Sequence, residues 1–553
     1  MRTAWKPARL ALVALSSALA LQALAGNAGA DAAQSTIARD TCPAPALGRI
    51  TCDAQVLVSR RNGKPVRPMV KARRARHNIA STGLPAPQQM TPAYLQQAYD
   101  LTYLSANRGG GDTVAIVGVY DDPAAASDLA TFRSTYGLSA CTPANGCFRQ
   151  MNEQGQASPL PAEDTSWAQE ESMDIEAVSA LCPNCKVDLV EANAADAQDL
   201  QAAVGAAVAA GANQVSISGD GIYTQNPFTD FSSSGVSIDV ATGDNGALPT
   251  GEDAYPAALP YVTAVGGTTL APATPTAPNA RGIVETAWNG SSAGCDTQEQ
   301  PLPYQPSDGC SGRSYADISA DADPSTGLTV YDSPAGGWFD GGGTSLAAPL
   351  VAAFQAITGV NGSTPQWAYT DAANLNDPTT GSTGACAGEL SALCNAATGY
   401  DGPTGAGSIS GQIAPGAPGI GLPSLGPSDS KTYTLRLANT GAWLRAGVYP
   451  NGEATSYYWQ YGTTSSYGSS TAAVSVGAGA APVSIGSHLA TLKPGTKYHY
   501  RLVATNASGT EYGYDGMFAT TGHAMAAKAR RTRAKHRRHA AHKLAIYRRV
   551  AVA

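Results

Sequence analysis

Apolar runs and amphipathic stretches alternate through the middle of the chain. Short apolar runs rich in β-branched residues predict buried strands at 113–120, 186–190, 215–218, 236–241 and 261–265. Patterns of helical period predict helices at 91–99, 170–181, 200–210 and 345–358. Strands that alternate with helices indicate a mostly parallel sheet with helices on both faces. We therefore expect an α/β domain over residues 91–415.

The pattern changes in the last third of the chain. Residues 402–430 are rich in Gly, Pro and Ser, and we place a linker at 416–430. The alternation in 498–505 is typical of a strand, and Leu492 to Tyr498 has the spacing of a tyrosine corner. These features predict a small all-β sandwich over 431–522. Residues 523–553 form a basic tail without apolar residues for a core, and we expect disorder there.

The first 90 residues are basic, with 13 Lys and Arg against 3 Asp and Glu. Residues 1–30 combine a charged start, an apolar stretch and the small residues Ala28-Gly29-Ala30, the pattern of a secretory signal peptide. Residues 31–90 are predicted to be irregular, as a short pro-segment or lead-in. No later stretch holds about 18 uninterrupted apolar residues, so no membrane span is predicted. We expect a secreted, extracellular protein.

Ten cysteines are consistent with export and fall in near neighbours. Local disulfides are the simplest pairing, although the sequence does not prove the connectivity. The expected pairs are Cys42/Cys52, Cys141/Cys147, Cys182/Cys185, Cys295/Cys310 and Cys386/Cys394. The Cys182-Pro-Asn-Cys185 motif is also compatible with redox chemistry or zinc, but it stands without a second pair or a histidine.

Negative charge is concentrated in the predicted α/β region. Residues 91–415 hold 6 Lys and Arg against 35 Asp and Glu. A domain of this kind repels itself at neutral pH, and the repulsion weakens as carboxylates become protonated. This balance suggests tolerance of acid, although an ordinary acidic secreted domain would show it as well.

The segment Gly343-Thr-Ser-Leu-Ala-Ala-Pro349 places a serine at the start of a predicted helix. A serine hydroxyl is a weak nucleophile and needs an adjacent base. The chain has seven histidines, yet residues 78–487 contain none. If Ser345 is catalytic, its base is therefore a carboxylate or a lysine, not the imidazole of a Ser-His-Asp triad.

Three acidic residues are candidates for this chemistry. Glu170 and Asp174 are four residues apart on a predicted helix and share one face. A solvated acidic face is the alternative, because Glu171 and Glu176 lie on the same helix. Asp244 follows a buried strand directly, where α/β sheets place catalytic groups, although aspartate is also common in such turns.

Four blocks of sequence, in this order, resemble the sedolisins, the serine-carboxyl peptidases. The first two are Glu170-Glu-Ser-Met-Asp174 and the turn Thr242-Gly-Asp-Asn-Gly246. The third is the segment 255–270, and the fourth is the serine motif 343–349, with Asp317 to Pro324 upstream of it. The resemblance covers roughly residues 90–405 and implies a subtilisin-like three-layer α/β/α domain with a mostly parallel sheet.

The resemblance implies a secreted endopeptidase that hydrolyses protein or peptide substrates at acidic pH. Ser345 would be the nucleophile, Glu170 its base and Asp174 the residue that orients Glu170. Asp244 would stabilise the oxyanion, which it can do only as a protonated donor. The alternative is a surface adhesion or binding protein on an inactive peptidase scaffold. A neutral-pH subtilisin is disfavoured because the histidine is missing.

The family also binds one calcium ion after the serine helix. The resemblance implies carboxylates from Asp377 and Asp401 and carbonyls from Pro378, Ala397 and Gly399, and oxygen ligands suit calcium. Two turn aspartates without a metal are the alternative.

The sequence departs from the family pattern in three places. Residues 31–90 are shorter than the usual pro-region, and Asn245 replaces the usual serine beside Asp244. The segment Ser218-Gly-Asp-Gly221 replaces a strand end that usually carries a larger residue at the substrate cleft. Substrate preference is therefore not transferable from the family.

Residues 431–522 resemble a fibronectin type III module, on Tyr458-Trp-Gln-Tyr-Gly462 and Tyr498-His-Tyr-Arg501. Such modules usually space or attach a secreted catalytic domain. The tail carries Arg pairs that suit an anionic cell envelope or nucleic acid, and a solvated tail is the alternative. We expect a monomer, with the cell wall as a candidate location.

Overall fold

The computed structural model describes residues 36–66, 89–223, 226–228, 235–250, 254–273, 281–360, 362–384, 391–413, 419–420, 440–479, 483–513 and 515–520. The predicted signal segment 1–30 and the basic tail 523–553 lie outside the described residues. Only residues 419 and 420 of the predicted linker 416–430 lie within them.

Seven α-helices and 26 strands occur in this part of the chain. The helices are α1 Pro92–Ala98, α2 Thr102–Asn107, α3 Ala125–Tyr136, α4 Thr165–Leu181, α5 Ala197–Ala209, α6 Thr344–Thr358 and α7 Gln366–Thr370. The first 17 strands are β1 Thr36–Asp40, β2 Ile50–Cys52, β3 Gln55–Ser59, β4 Thr113–Val119, β5 Phe148–Asn152, β6 Lys186–Ala192, β7 Gln214–Ile217, β8 Gly219–Ile222, β9 Ser237–Ala241, β10 Ala254–Tyr255, β11 Thr263–Pro272, β12 Ile283–Ala287, β13 Gly294–Asp296, β14 Arg313–Tyr315, β15 Ile318–Asp321, β16 Leu328–Asp332 and β17 Gly337–Gly342. The remaining strands are β18 Gly419–Ile420, β19 Ala442–Tyr449, β20 Thr455–Gly462, β21 Ser469–Ser470, β22 Val474–Gly477, β23 Val483–Leu489, β24 Lys497–Thr505, β25 Thr510–Tyr512 and β26 Gly516–Ala519.

An eight-stranded sheet forms the centre of the α/β region. Its order is β12-β11-β9-β7-β4-β6-β5, with β15 also paired to β11. All of its pairings are parallel except that of β11 with β12. The prediction of a mostly parallel sheet is confirmed.

Both faces of this sheet are covered, as the alternation along β4 shows. Val114 and Ile116 pack into a core cluster that includes residues of α4 and α6. Ala115 and Val117, which point to the opposite face, pack into a second cluster that includes Leu200 of α5. The region is therefore a three-layer α/β/α structure, and each predicted helix and strand of the sequence pattern is present with shifted ends.

The N-terminal segment is ordered where we expected irregular chain. Residues 36–66 contain β1, β2 and β3, and β1 pairs antiparallel with β3. Strand β2 pairs antiparallel with β8, and β3 pairs antiparallel with β17. Residues 49–56, called here the inserted segment, therefore run between two strands of the α/β region. The prediction of an irregular lead-in was wrong for these residues, because strand pairing with distant parts of the chain overrode their weak local pattern.

The C-terminal residues form two further sheets, of orders β18-β19-β23 and β21-β20-β24-β25, with β22 and β26 paired at the side of the second. Both sheets contribute to one core, with Leu444 from the first and Trp459 from the second. The Lys493 N–H donates to the Tyr498 hydroxyl at 3.0 Å, the hydrogen bond that the predicted tyrosine corner requires. This part contacts the α/β region, where the Tyr103 hydroxyl donates to the Ser508 carbonyl at 2.9 Å.

Four of the five predicted disulfides are present. They are Cys42–Cys52, Cys141–Cys147, Cys182–Cys185 and Cys295–Cys310. Cys394 is disulfide-bonded, and its predicted partner Cys386 lies outside the described residues. In the described ranges, no helix has the length and apolar character needed to cross a membrane.

Candidate active site

Ser345 lies in the first turn of α6, behind a glycine that the backbone requires. Gly343 precedes the helix with φ 107°, a conformation that strongly favours glycine. A Cβ on this residue would collide with the carbonyl oxygen of Asp53 in the inserted segment. Ser345 is fully buried beneath that segment. The chain thus changes from β17 to α6 at Gly343-Thr344-Ser345. Because Gly343 has no Cβ, the carbonyl group of Asp53 can lie close to this turn.

Glu170 and Asp174 lie on the buried face of α4. This helix begins at an Asp164 cap, whose carboxylate accepts from the N–H groups of Ser166 and Trp167. Both acids are 1% exposed, so the alternative of a solvated acidic face is wrong. The Ser218 hydroxyl lies 2.9 Å from Asp174 Oδ1 and 3.1 Å from the Ser345 carbonyl oxygen. Ser218 therefore connects the acidic helix to the serine turn.

The environment favours a proton on the pair of acids. Burial raises the pKa of the Glu170 carboxyl well above its usual value, the charge of Asp174 raises it further, and the Ser345 hydroxyl lowers it. Burial also raises the pKa of Asp174, while the neighbouring Ser218 and Glu170 side chains lower it. Two close carboxyls ionise together only at a cost, so the pair is expected to share one proton over a range of pH.

The Ser345 and Glu170 side chains are close without forming a regular hydrogen bond. Neither Ser345 Oγ nor either Glu170 carboxylate oxygen has a hydrogen-bond partner of ordinary geometry among the described residues. The Ser345 hydroxyl nevertheless lowers the pKa of the Glu170 carboxyl. Such contacts are often long without substrate and shorten in its presence.

Asp244 lies on the other side of the serine turn. Its Oδ1 accepts from the Thr344 N–H at 2.8 Å and from the Thr344 hydroxyl at 3.0 Å. Its Oδ2 is buried, has no hydrogen-bond partner within the described part of the chain, and lies 2.7 Å from the position of a Cβ on Gly343. Burial raises the pKa of Asp244 well above its usual value, and the Thr344 hydrogen bonds lower it. This unpaired oxygen therefore lies close to Gly343, two residues before Ser345.

The structure thus brings Ser345, Glu170, Asp174 and Asp244 together in one buried site, from α6, α4 and the turn after β9. Sequence reasoning did not assign Ser218, Thr344 or the inserted segment to this site. The sequence held a signal for two of them, because Thr344 adjoins Ser345 and Cys52 of the inserted segment belongs to a predicted disulfide. The missing information was the strand pairing that carries residues 49–56 to the serine.

The predicted calcium ligands meet in a second loop cluster. The Gly399 N–H donates to Asp377 Oδ2 at 3.1 Å, and the Ala397 N–H donates to Asp401 Oδ2 at 2.7 Å. Asp401 Oδ1 accepts from the N–H and hydroxyl of Thr404 at 2.9 and 2.8 Å. Burial raises the pKa of Asp401 to about 6, hydrogen bonds lower it, and the charge of Asp377 raises it.

The donor set of this cluster fits calcium in part. Two carboxylates lie together, and within the described residues neither forms a salt bridge. No group of three or more His, Cys, Asp or Glu side chains that could hold a metal occurs in the described ranges. A cation here would therefore need the carbonyl oxygens of Pro378, Ala397 and Gly399 beside the two carboxylates, and such oxygen ligands suit calcium.

Part of the chain is similar in sequence to a known protein. The chain is 30% identical over 312 residues to kumamolisin from Bacillus sp. strain MN-32. The match covers 49% of this chain and 52% of kumamolisin, so the chain spans about half the length of the curated relative it matches. No protein-family profile matches the chain.

Among solved structures, the chain is similar to Pseudomonas sedolisin, a serine-carboxyl proteinase complexed with two molecules of pseudo-iodotyrostatin. The identity is 21% and the TM-score 0.44, over 60% of this chain and 96% of that chain. A mutant of the epidermin leader peptide processing serine protease from Staphylococcus aureus is 12% identical with a TM-score of 0.32, over 60% of this chain and 83% of that one.

Proposed function

We propose that the chain is a secreted serine-carboxyl endopeptidase that hydrolyses peptide bonds in acid. The observation that supports this most strongly is the meeting of Ser345 with Glu170 and Asp244 in a region of sequence without a histidine. The similarity to kumamolisin supports the same class of reaction.

In the proposed mechanism, the Ser345 hydroxyl attacks the carbonyl carbon of the scissile bond. Glu170 takes the hydroxyl proton, and Asp174 holds the Glu170 carboxyl and shares a proton with it. Glu170 then returns a proton to the leaving amine, and water releases the acyl group from Ser345 by the reverse sequence. A carboxyl pair can replace imidazole as the base in acid, because Glu170 and Asp174 share one proton and the pair can still accept another.

Asp244 supplies the oxyanion donor. Oδ1 already accepts two hydrogen bonds from Thr344, so a proton on this acid belongs on Oδ2. Oδ2 is the unpaired oxygen that faces the serine turn. A neutral carboxylic acid can donate to an oxyanion, whereas a carboxylate would repel it. The mechanism therefore needs Asp244 protonated and Glu170 able to accept a proton, and activity should fall on both sides of an acidic optimum.

We also propose one structural calcium ion. Asp377 and Asp401 would hold it with the carbonyl oxygens of Pro378, Ala397 and Gly399. The ion would neutralise two neighbouring carboxylates and tie the 376–378 segment to the 397–401 loop. Burial of Asp401 and its repulsion by Asp377 support a cation at this place.

The remaining assignments follow the sequence. Residues 1–30 would direct secretion, residues 91–415 would form the peptidase domain, and residues 431–522 would form a fibronectin type III-like spacer. The two sheets around Trp459 and the Tyr498 hydrogen bond support the last of these. The basic tail 523–553 would contact an anionic cell envelope, and the enzyme would act as a monomer.

Hydrolysis of a denatured protein from pH 3 to 8 tests the activity. Wild type should cleave it in the acidic range and Ser345→Ala should not. Ser134→Ala is the matched control, because Ser134 is an exposed serine on α3. An inactive wild type would favour the alternative, an adhesion or binding protein on a peptidase scaffold. Full activity of Ser345→Ala would refute the assigned nucleophile.

A further inference from the structure

The turn that carries Asp244 is held by a serine from another loop. Ser292 lies between β12 and β13 and is fully buried. Its N–H donates to the Gly243 carbonyl oxygen at 2.7 Å, and its Oγ accepts from the Asn245 N–H at 3.0 Å. The residues on the two sides of Asp244 are therefore both bound to Ser292.

These two hydrogen bonds fix the backbone of Asp244. The Gly243 carbonyl belongs to the peptide plane before the Asp244 Cα, and the Asn245 N–H belongs to the plane after it. Because each plane is rigid, holding both of them restricts the φ and ψ of Asp244. The Thr344 N–H and hydroxyl hold Oδ1 of the same residue. Backbone and side chain are thus anchored separately, and Oδ2 remains without a partner in the described part of the chain.

Ser292 itself has a fixed position, because the residues around it are bound to the same stretch of chain. The Gly246 N–H donates to the Gly290 carbonyl oxygen at 2.8 Å, two residues before Ser292. The Leu248 N–H donates to the Ala293 carbonyl oxygen at 2.9 Å, directly after it. The hydroxyl of Ser292 is therefore held in place beside the Asp244 turn from both directions along the chain.

The turn also packs against Asp220. Asn245 Nδ2 donates to Asp220 Oδ2 at 3.4 Å. A Cβ on Gly243 would collide with this carboxylate oxygen and would lie 3.0 Å from Ser292 Oγ. Gly243 has a φ of 98°, which also favours glycine. Gly243 is therefore enclosed by Ser292 and Asp220, and the turn has little space in which to shift.

We propose that Ser292 is a positioning residue for the peptidase reaction, which holds Asp244 Oδ2 at the place where the oxyanion forms. The proposal rests on the peptidase function proposed above. Ser292 acts only through the Asp244 turn and does not touch the reacting atoms. A donor that is fixed before the reaction stabilises the developing charge without a cost of reorganisation. A turn free to move would bind the substrate as well as before but the oxyanion less well.

Ser291 provides a matched control next to Ser292. Both serines are fully buried, and Ser291 Oγ accepts from the Gly267 N–H at 2.7 Å. Gly267 lies in β11, so this bond does not hold the Asp244 turn. Ser291→Ala and Ser292→Ala therefore each remove one hydroxyl that accepts from a backbone N–H. Each should lower the melting temperature, whereas a difference in catalysis between them reports on the Asp244 turn.

Steady-state kinetics at pH 4, with one peptide that wild type cleaves, give the first readout. Ser292→Ala should lower kcat by about 10-fold with little change in KM, less than the loss for removal of an oxyanion donor itself. Ser291→Ala should keep the kcat of wild type. Ser292→Thr, which keeps the hydroxyl, should recover most of the rate. Equal kcat values for the two alanine variants would overturn the proposal.

A peptide aldehyde probes the oxyanion position more directly. In the proposed mechanism, Ser345 Oγ bonds to the aldehyde carbon, the electron pair of the C=O bond moves to the aldehyde oxygen, and the hydroxyl proton passes to Glu170. The aldehyde oxygen then takes the place of the oxyanion beside Asp244. The affinity of the aldehyde relative to the amide of the same peptide should fall about 10-fold in Ser292→Ala. It should stay at the wild-type value in Ser291→Ala, and an unchanged ratio in Ser292→Ala would contradict the assigned role.

The two proposals fail in different ways. If wild type hydrolyses the peptide through Ser345 and binds the aldehyde more tightly than the amide, but Ser292→Ala and Ser291→Ala behave alike, only the role of Ser292 is wrong. If wild type and Ser345→Ala are both inactive and bind aldehyde and amide equally, the peptidase function itself is wrong.

Discussion

The Thr344 hydroxyl lies 3.0 Å from Asp244 Oδ1, and the Thr344 N–H lies 2.8 Å from the same oxygen. The Gly243 N–H donates to the Thr344 hydroxyl at 3.0 Å, so the hydroxyl proton remains free to point at Asp244. Oδ1 is therefore fixed as an acceptor. In the proposed mechanism, Thr344 therefore decides which oxygen of Asp244 carries the proton that an oxyanion needs.

Replacement of Thr344 by valine tests this relationship. Thr344→Val keeps the shape and the backbone N–H but removes one of the two donors to Oδ1. We expect kcat to fall by about 10-fold with little change in KM, less than the 10²–10³-fold loss for removal of an oxyanion donor itself. Thr344→Ser, which restores a hydroxyl, should recover most of the rate. Equal rates for the valine variant and wild type would contradict the assigned role.

The pH profile of Asp244→Asn tests the protonation state of the oxyanion donor. In wild type, Asp244 loses its donor proton as pH rises through its raised pKa, so activity should fall on that side. An amide donates at every pH in this range and does not titrate. The variant should retain some activity, and its decline should begin at higher pH. An unchanged alkaline limb would show that another group sets it.

Stability should also depend on pH, because several buried acids have a raised pKa. Burial raises the pKa of Asp100, Glu191 and Asp239 each to about 8. A raised pKa in the folded state means that the folded chain binds more protons than the unfolded chain between about pH 4 and 8. The free energy of unfolding is therefore largest at the acidic end of this window and falls as pH rises toward 8.

Thermal unfolding of Ser345→Ala, which avoids self-digestion, measures this dependence. The melting temperature should be higher at pH 5 than at pH 8.5. Asp239→Asn should flatten the difference, because Asp239 Oδ1 accepts from Gln355 Nε2 at 2.7 Å inside the core and an amide does not ionise. A melting temperature that rises with pH over this range would contradict the predicted effect of the buried acids.

The parallel sheet was predictable from the sequence because its strands have a local signal. Ser345, Glu170, Asp174 and Asp244 could be selected as candidate site residues for the same reason. Residues 114–119 of β4 form a continuous apolar run, and Gly343 to Pro349 is a compact motif. Glu170 and Asp174 were ambiguous by spacing, since burial of α4 on both sides comes from packing that periodicity does not reveal.

The inserted segment was not predictable in the same way. Residues 50–52 and 55–59 are short, and their partners β8 and β17 are about 170 and 285 residues away along the chain. A single sequence shows no signal for a pairing at such separation. The resemblance to a family also gave no expectation for the position of Asp220, because the segment that contains this residue departs from the family pattern.

Removal of calcium tests the loop of Asp377 and Asp401. If the ion is bound, a chelator should lower the melting temperature of Ser345→Ala, because an ion bound only to the folded state stabilises it. Asp401→Asn should lower the melting temperature without chelator and make it insensitive to chelator. Glu163→Gln, an exposed acid far from the loop in sequence, should behave as the parent. If the chelator leaves the melting temperature unchanged, the proposed calcium site is wrong.

The central claim is that a carboxylate, not an imidazole, activates the serine. The most direct test is kcat/KM at pH 4 for Glu170→Gln, which keeps the size of the side chain but cannot take a proton, with Glu163→Gln as control. The account predicts a loss of at least about 10³-fold for Glu170→Gln and none for the control, as for other residues that act as a unit with the nucleophile. A Glu170→Gln rate within a few fold of wild type would contradict it.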